Sequence, residues 1–324
     1  VGQITRRETI ASALAPAGAA LAGSLGVPLF AAETSARNHD EKEKGRQPSR
    51  IVALAHPTII DATPLQMIDA AVAGGFERIG LRIVPPAPSD SMVPIIGNEP
   101  LIRDLLAKMS DTGVSMFDVE VLIVGPDTDV ETFKPALETA HRLGAQQVLT
   151  CGTDADAPRF EAKLARLAEL ANSYQLGIGL EFLPILPVSN LAQATETVRR
   201  VAQPNLGVLL DVLHLTRSGG GVADVRAADP ALLAYCQLCD VRGPRPATDA
   251  ALLAEGGTSR FYPGEGELAL ADLFDALPPG LPISIEAPCA KYAGLDVMER
   301  AKRCGEATRR FLASTRWGGG SRTS

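Results

Sequence analysis

Eight short apolar runs, separated by longer amphipathic stretches, predict that this chain folds as a single α/β domain, a (β/α)8 barrel, preceded by a signal-like N-terminal segment. Two further observations support that class. The alternation fills roughly 265 residues, from 50 to 316, which suits eight strand–helix units. A doubly wound sheet, the alternative, would carry a glycine-rich phosphate turn after its first strand, and ALAHPTIIDA has no glycine there.

The strand candidates are 51–55, 78–83, 114–124, 147–151, 178–183, 206–213, 234–241 and 282–286. Each is apolar and bounded by turn residues or by a polar residue at its C-terminal end. Helical spacing marks 101–110, 130–143, 159–173, 191–202 and 295–312. Gly113 and Gly144 follow two of these helices, at the position where a left-handed residue costs least. The stretch 242–262 is longer than a minimal connection and rich in Pro and Gly, so it is expected to act as a substrate lid.

The first 36 residues differ in kind. Thr5-Arg6-Arg7-Glu8 precedes an Ala/Gly-rich, mildly apolar run with no acidic residue, which predicts a twin-arginine-type export segment and a periplasmic or exported location; a buried N-terminal helix is the alternative. Residues 37–49 are almost free of apolar side chains and read as a polar linker, and 317–324 as a flexible tail. No second long apolar run exists, so no stable membrane association is expected of the body. A net charge of −7 gives no basic footprint for nucleic acid, which leaves a small molecule as the expected partner, with self-association into a homo-oligomer as a further option.

Catalytic groups of such a barrel sit at the C-terminal ends of its strands. The fifth strand, GIGLEFLP, ends at Glu181, with Gly177 and Gly179 on the same face by period-two alternation. That face has room for something. The sixth, LGVLLDVLHLTRSGG, presents Asp211 with His214 three residues on, and the eighth, LPISIEAPC, ends at Glu286. One such acid would read as a rim salt bridge. Three converging carboxylates repel one another unless a cation sits among them, and oxygen ligands point to manganese or magnesium, with cobalt or zinc as alternatives. Arg217 is a candidate clamp for a carboxylate or phosphate, and His56, Arg82 and Glu120, closing the first three strands, are candidate pocket-lining residues.

The motifs GLEFLP, DVLHLTRSG, QLCD, RFYPGEGEL and ISIEAP resemble, over roughly residues 50–315, the xylose-isomerase-like TIM barrels of the sugar phosphate isomerase/epimerase group. The resemblance implies one divalent metal held by Glu181, Asp211, Gln237 and Glu286, with Gln237 where many members have His. It also implies that Glu181 and Glu286 serve as acid and base on an enediolate, and that His214 contacts a substrate hydroxyl. The implied activity is a sugar or hydroxy-carbonyl isomerase or epimerase. A lyase or dehydratase acting on a keto-sugar, inosose or 3-keto-glycoside is the second reading, and a non-catalytic exported sugar-binding barrel the third. Pro184 and Pro187 replace the Asn-bearing turn of some ketose epimerases.

YCQLCDV carries a Cys-x-x-Cys pair. Redox pairs open helices and zinc knuckles sit in turns, whereas this pair lies along the seventh strand, where residues three apart face opposite ways. Cys236 and Cys239 are therefore expected to be buried apolar side chains. The same alternation puts Tyr235, Gln237 and Cys239 on one face, level with the three acids if that face is inward.

Overall fold

The computed structural model describes residues 50–85 and 92–318. The signal-like segment 1–36, the linker 37–49 and most of the tail lie outside the described residues. Eight parallel strands close into a barrel in chain order, with β8 pairing back onto β1. The strands are β1 (Val52–Leu54), β2 (Arg78–Arg82), β3 (Ser115–Val124), β4 (Gln147–Gly152), β5 (Gly177–Glu181), β6 (Leu206–Asp211), β7 (Leu233–Leu238) and β8 (Ile283–Ile285).

Among the described residues ten α-helices connect or follow them: α1 (Pro64–Gly74), α2 (Glu99–Thr112), α3 (Lys134–Arg142), α4 (Ala157–Ser173), α5 (Leu191–Val201), α6 (Val212–Arg217), α7 (Val222–Ala227), α8 (Asp249–Thr258), α9 (Leu270–Ala276) and α10 (Val297–Ala313). Most start on a side-chain cap. Thr63 and Gln66 form a reciprocal capping box at α1, and Asn98, Asp156, Asn190, Thr248 and Asp296 each accept a backbone N–H of the first turn. Among the described residues no helix is long and apolar enough to cross a membrane.

Two apolar layers hold the barrel. Leu54, Ile79, Leu81, Val148, Leu180 and Ile283 belong to the large cluster between strands and helices, whereas Ala53, Phe117, Leu149, Leu209 and Tyr235 form a smaller cluster inside. Members of the two clusters alternate along single strands, as a sheet buried on both faces requires.

Several strand ends differ from expectation. The sixth strand was expected to run to residue 213, but it ends at Asp211, whose carboxylate accepts the Leu213 and His214 N–H groups and so starts α6. The seventh was expected to reach residue 241, but it ends at Leu238, so Cys239 lies just past the ladder. The stretch 242–262 contains α8. Cys236 and Cys239 are both buried free thiols, as expected of apolar filler.

The space beneath Glu181 is also filled. A Cβ on Gly179 would lie 2.7 Å from the Tyr235 ring, and one on Gly177 would lie 2.6 Å from the Gln147 side chain. Both glycines make room for neighbouring side chains. Gly179→Ala is expected to displace Tyr235 and cost about 1–3 kcal/mol, read as a lowered midpoint in urea unfolding.

Candidate active site

A cavity of about 400 Å3 is lined by residues within, at and beyond the C-terminal ends of the strands, among them Glu120 inside β3, Glu181 at the end of β5, and His214, Arg260 and Glu286 beyond strand ends. One oxygen each of Glu181 and Asp211 and one ring nitrogen of His214 lie within 4.8 Å of one another. His214 Nε2 stands 3.6 Å from Glu181 Oε1 and 4.0 Å from Asp211 Oδ2. All three residues are buried.

Strand pairing qualifies the expectation that four ligands stand level. Asp211 pairs with Gln237, and Gln237 with Ser284, but Glu181 pairs with Leu209 and Glu286 lies two residues beyond Ser284. Only Asp211 and Gln237 share a row. Gln237 is fully buried, and neither its Oε1 nor its Nε2 has a hydrogen-bond partner among the described residues. A buried amide left without protein partners costs free energy, so its polar atoms are available to a bound group. Glu286 Oε2 is likewise without a hydrogen bond.

The cation among these acids is Arg260. Its Nη1 donates to Asp211 Oδ2 at 2.6 Å and to the Glu286 carbonyl at 3.2 Å, and lies 3.3 Å from Glu286 Oε2 without hydrogen-bond geometry. Backbone contacts hold it there: its N–H donates to the Pro288 carbonyl and its Nε to the Gly256 carbonyl. Asp240 secures the adjacent chain, bridging Phe261 through the backbone while its Oδ1 accepts the Val241 and Leu268 N–H groups.

Electrostatics follow from burying several acids around one guanidinium. Burial, with Glu286 and Asp211 adding, pushes the Glu181 carboxyl well above its usual range. Burial also raises Glu286 to about 8, Arg260 opposing. For Asp211 burial acts upward, but Arg260 and His214 outweigh it and hold the carboxyl below the ordinary value. Burial lowers His214 to about 4, with Asp211 opposing, so its imidazole is neutral at pH 7. Deeper in the barrel, burial raises Asp118 to about 7 and Glu120 to about 8, while Tyr235 donates to Asp118 Oδ2 at 3.0 Å.

The remaining predicted site residues divide. Arg82 and Glu120 line the cavity with their charged ends 3.7 Å apart. Arg217 also lines it, but its Nε and Nη2 donate to Glu255 at 2.8 and 2.6 Å, so the expected clamp is engaged by α8. His56, expected to line the pocket, is not among the residues that line it: its Nδ1 accepts the Arg82 N–H at 3.1 Å and its Nε2 is 2.9 Å from the Ala62 carbonyl. That pair of contacts suits only the neutral ring with its proton on Nε2.

Burial lowers His56 from 6.5 to about 4. A depressed histidine contributes stability that is complete above pH 6.5 and is lost as pH falls through about 4, because the unfolded chain takes up the proton first. Between pH 7 and pH 4 the wild type should lose up to about 3 kcal/mol more than His56→Gln, measured by urea unfolding at each pH. Parallel pH profiles would refute this role.

A family model for the xylose isomerase-like TIM barrel matches residues 68–314. The chain belongs to that family. The inosose isomerase of Halalkalibacterium halodurans is 27% identical over 158 residues, 46% of this chain and 54% of that protein. The inosose isomerase of Bacillus subtilis (strain 168) is 26% identical over 163 residues, 47% and 56% of the two. The chain thus spans about half the length of the curated relatives it matches. The IOLI protein solved with a bound zinc atom has a TM-score of 0.68 at 19% identity, over 81% of this chain and 98% of that one. An L-ribulose 3-epimerase has a TM-score of 0.62 at 17% identity, over 85% and 100%. At these identities the two solved structures speak for the fold.

In this xylose isomerase-like barrel, sequence reasoning left out the role of Arg260. RFYPGEGEL was visible as a motif, and three acids on one rim called for positive charge. Only the folded path of the 242–262 segment selects Arg260 over Arg242, whose guanidinium donates instead to the Glu265 carbonyl. Asp118 was likewise missed, being a mid-strand residue without a motif, and Tyr235 was placed on the face of Gln237 without its hydrogen bond to Asp118.

Proposed function

We propose that this chain is a divalent-metal-dependent isomerase or epimerase of hydroxy-carbonyl sugars. The observation that carries the reading is the convergence of Glu181, Asp211 and His214 beside the unpartnered Gln237 amide and Glu286, whose Oε2 has no hydrogen bond and only the Arg260 ion pair at 3.3 Å. Three carboxylates, an amide oxygen and a neighbouring imidazole are a donor set that a divalent cation accepts. Glu181, Asp211, Gln237 and Glu286 would hold it. A cation bound there would polarise a substrate carbonyl and its neighbouring hydroxyl and favour enediolate formation.

The chain's own residues supply the proton transfers. Glu181 and Glu286 come from β5 and from just past β8, flanking Asp211 and Gln237. Glu181 removes the proton from the carbon between carbonyl and hydroxyl, and Glu286 returns one. Return to the adjacent carbon isomerises; return to the same carbon from the other side epimerises. Neutral His214 donates to the substrate hydroxyl, and Arg260 offsets the negative charge of Asp211. The twin-arginine-type segment 1–36 would place this chemistry outside the cytoplasm, a proposal that mass spectrometry of the mature N-terminus tests.

The deciding experiment combines metal titration with solvent-deuterium exchange into inososes and ketoses. Stoichiometric binding of manganese or zinc, and metal-dependent exchange, are expected; an enone product would turn the reading to elimination. Gln237→Ala should weaken metal binding by about 10–100-fold, the loss typical when a metal site's supporting shell is disrupted. Unchanged affinity removes Gln237 from the ligand set.

A further inference from the structure

The cavity has two chemically different ends. Its buried end carries Glu181, Glu286, His214 and Arg260. The rest of its wall is largely aliphatic, formed by Ile60, Leu183, Ile185, Leu213, Leu252 and Leu253. No Ser, Thr, Asn, Gln, Lys, Tyr or Trp is among the described residues that line it. Of the charged groups elsewhere on the wall, Arg217 is held by Glu255 and the Gly243 and Arg242 carbonyls, whereas Arg82, 3.7 Å from Glu120, keeps an Nε without a hydrogen-bond partner and, with Glu120, belongs to the polar end.

A polyhydroxylated sugar filling this cavity would press the hydroxyls remote from its charged end against Leu and Ile, where none of the described lining residues replaces the water they lose, which is unfavourable. Exposure at the mouth points the same way. Ile60 and Leu253 are 51% and 57% exposed, two of the five large exposed apolar residues among those described, and both line this one cavity, from the turn after β1 and from α8. Aliphatic side chains held in water at the rim of a cavity gain when an apolar group covers them.

We infer that the substrate is two-ended: a short hydroxy-carbonyl head that reaches the carboxylates, and an apolar alkyl or aryl substituent that lies along Ile60, Leu183, Ile185, Leu252 and Leu253. This rests on the reading of the site as a hydroxy-carbonyl isomerase or epimerase. The head is the part on which Glu181 and Glu286 act; the tail sets specificity. Substrates of this class include ketoses etherified, or glycosides substituted, at the end remote from the carbonyl.

The test uses metal-loaded full-length protein with D-fructose and its 6-O-butyl and 6-O-benzyl ethers. Calorimetry gives Kd for each, and solvent-deuterium exchange gives turnover. The ethers should bind at least about tenfold more tightly than fructose, given the transfer free energy of a few buried methylenes. The ratio should shrink in Ile60→Asn and Leu253→Asn, both at exposed positions where folding tolerates a polar side chain. Ethers that bind no better than fructose, or not at all, overturn the inference, as does a ratio that neither variant alters. The catalytic reading fails separately: tighter binding of the ethers with no exchange from any compound sinks that reading and leaves the two-ended site standing, whereas exchange from fructose without an ether preference does the reverse.

Discussion

Glu181→Gln and Glu286→Gln are each expected to lower turnover by about 10²–10⁴-fold, the contribution of a positioned acid or base, while leaving the fold intact. The second half of the expectation has its own physical basis. Burial pushes both carboxyls upward, with like charges adding and Arg260 opposing, so replacing either by a neutral amide of the same shape removes the cost of a buried charge at no cost in volume. Thermal midpoints at pH 8 should therefore hold or rise as activity falls. A variant that keeps a rate within tenfold of wild type removes that residue from the acid–base pair. A variant that loses activity and midpoint together points to collapse of the site. Solvent-deuterium exchange reads the first quantity and calorimetric unfolding the second.

Arg260→Met is expected to cost about 3–5 kcal/mol of stability in the metal-free protein, because it leaves Asp211 buried without its countercharge. Burial works against the Arg260 charge, but Asp211 and Glu286 outweigh it and keep the guanidinium protonated. Asp211 Oδ1 is already taken by the Leu213 N–H at 2.6 Å and Oδ2 by Arg260 at 2.6 Å, so a divalent cation at this carboxylate would share it with the guanidinium. The loss should be smaller when manganese or zinc is present, since the ion supplies positive charge to the same carboxylates. Urea unfolding in chelator and in saturating metal measures both. Equal losses in the two conditions would make Arg260 structural alone, and no loss in chelator would remove its role as the countercharge.

These expectations rest on two kinds of information. Period-two alternation and the glycines that end helices carry the barrel in one dimension, because a strand buried on both faces and a helix buried on one leave different apolar spacings along the chain. Glu181, Asp211 and Glu286 were legible for the same reason: a carboxylate ending an apolar strand has few bland explanations once three do so in one barrel. His214 sits beside Glu181, and Gln237 pairs with Asp211 across adjacent strands. Where strands stop was harder to read. Asp211 ends β6 because its side chain caps α6, a local hydrogen bond competing with the ladder, and Val212 and Leu213 are as apolar as the strand before them.

What the sequence determined alone is the eight-unit alternation, the acids at the strand ends and the burial of the cysteines, all consequences of spacing along the chain. Tertiary structure decided the rest: that Arg260 from a distant loop neutralises Asp211, that Glu255 takes Arg217, that His56 is a buried hydrogen-bond bridge, and that the glycines beneath Glu181 accommodate Tyr235 and Gln147. Each of these depends on groups far apart in the chain meeting at fixed distances. Charge pairing and steric exclusion act through space, and no periodicity along the chain records them.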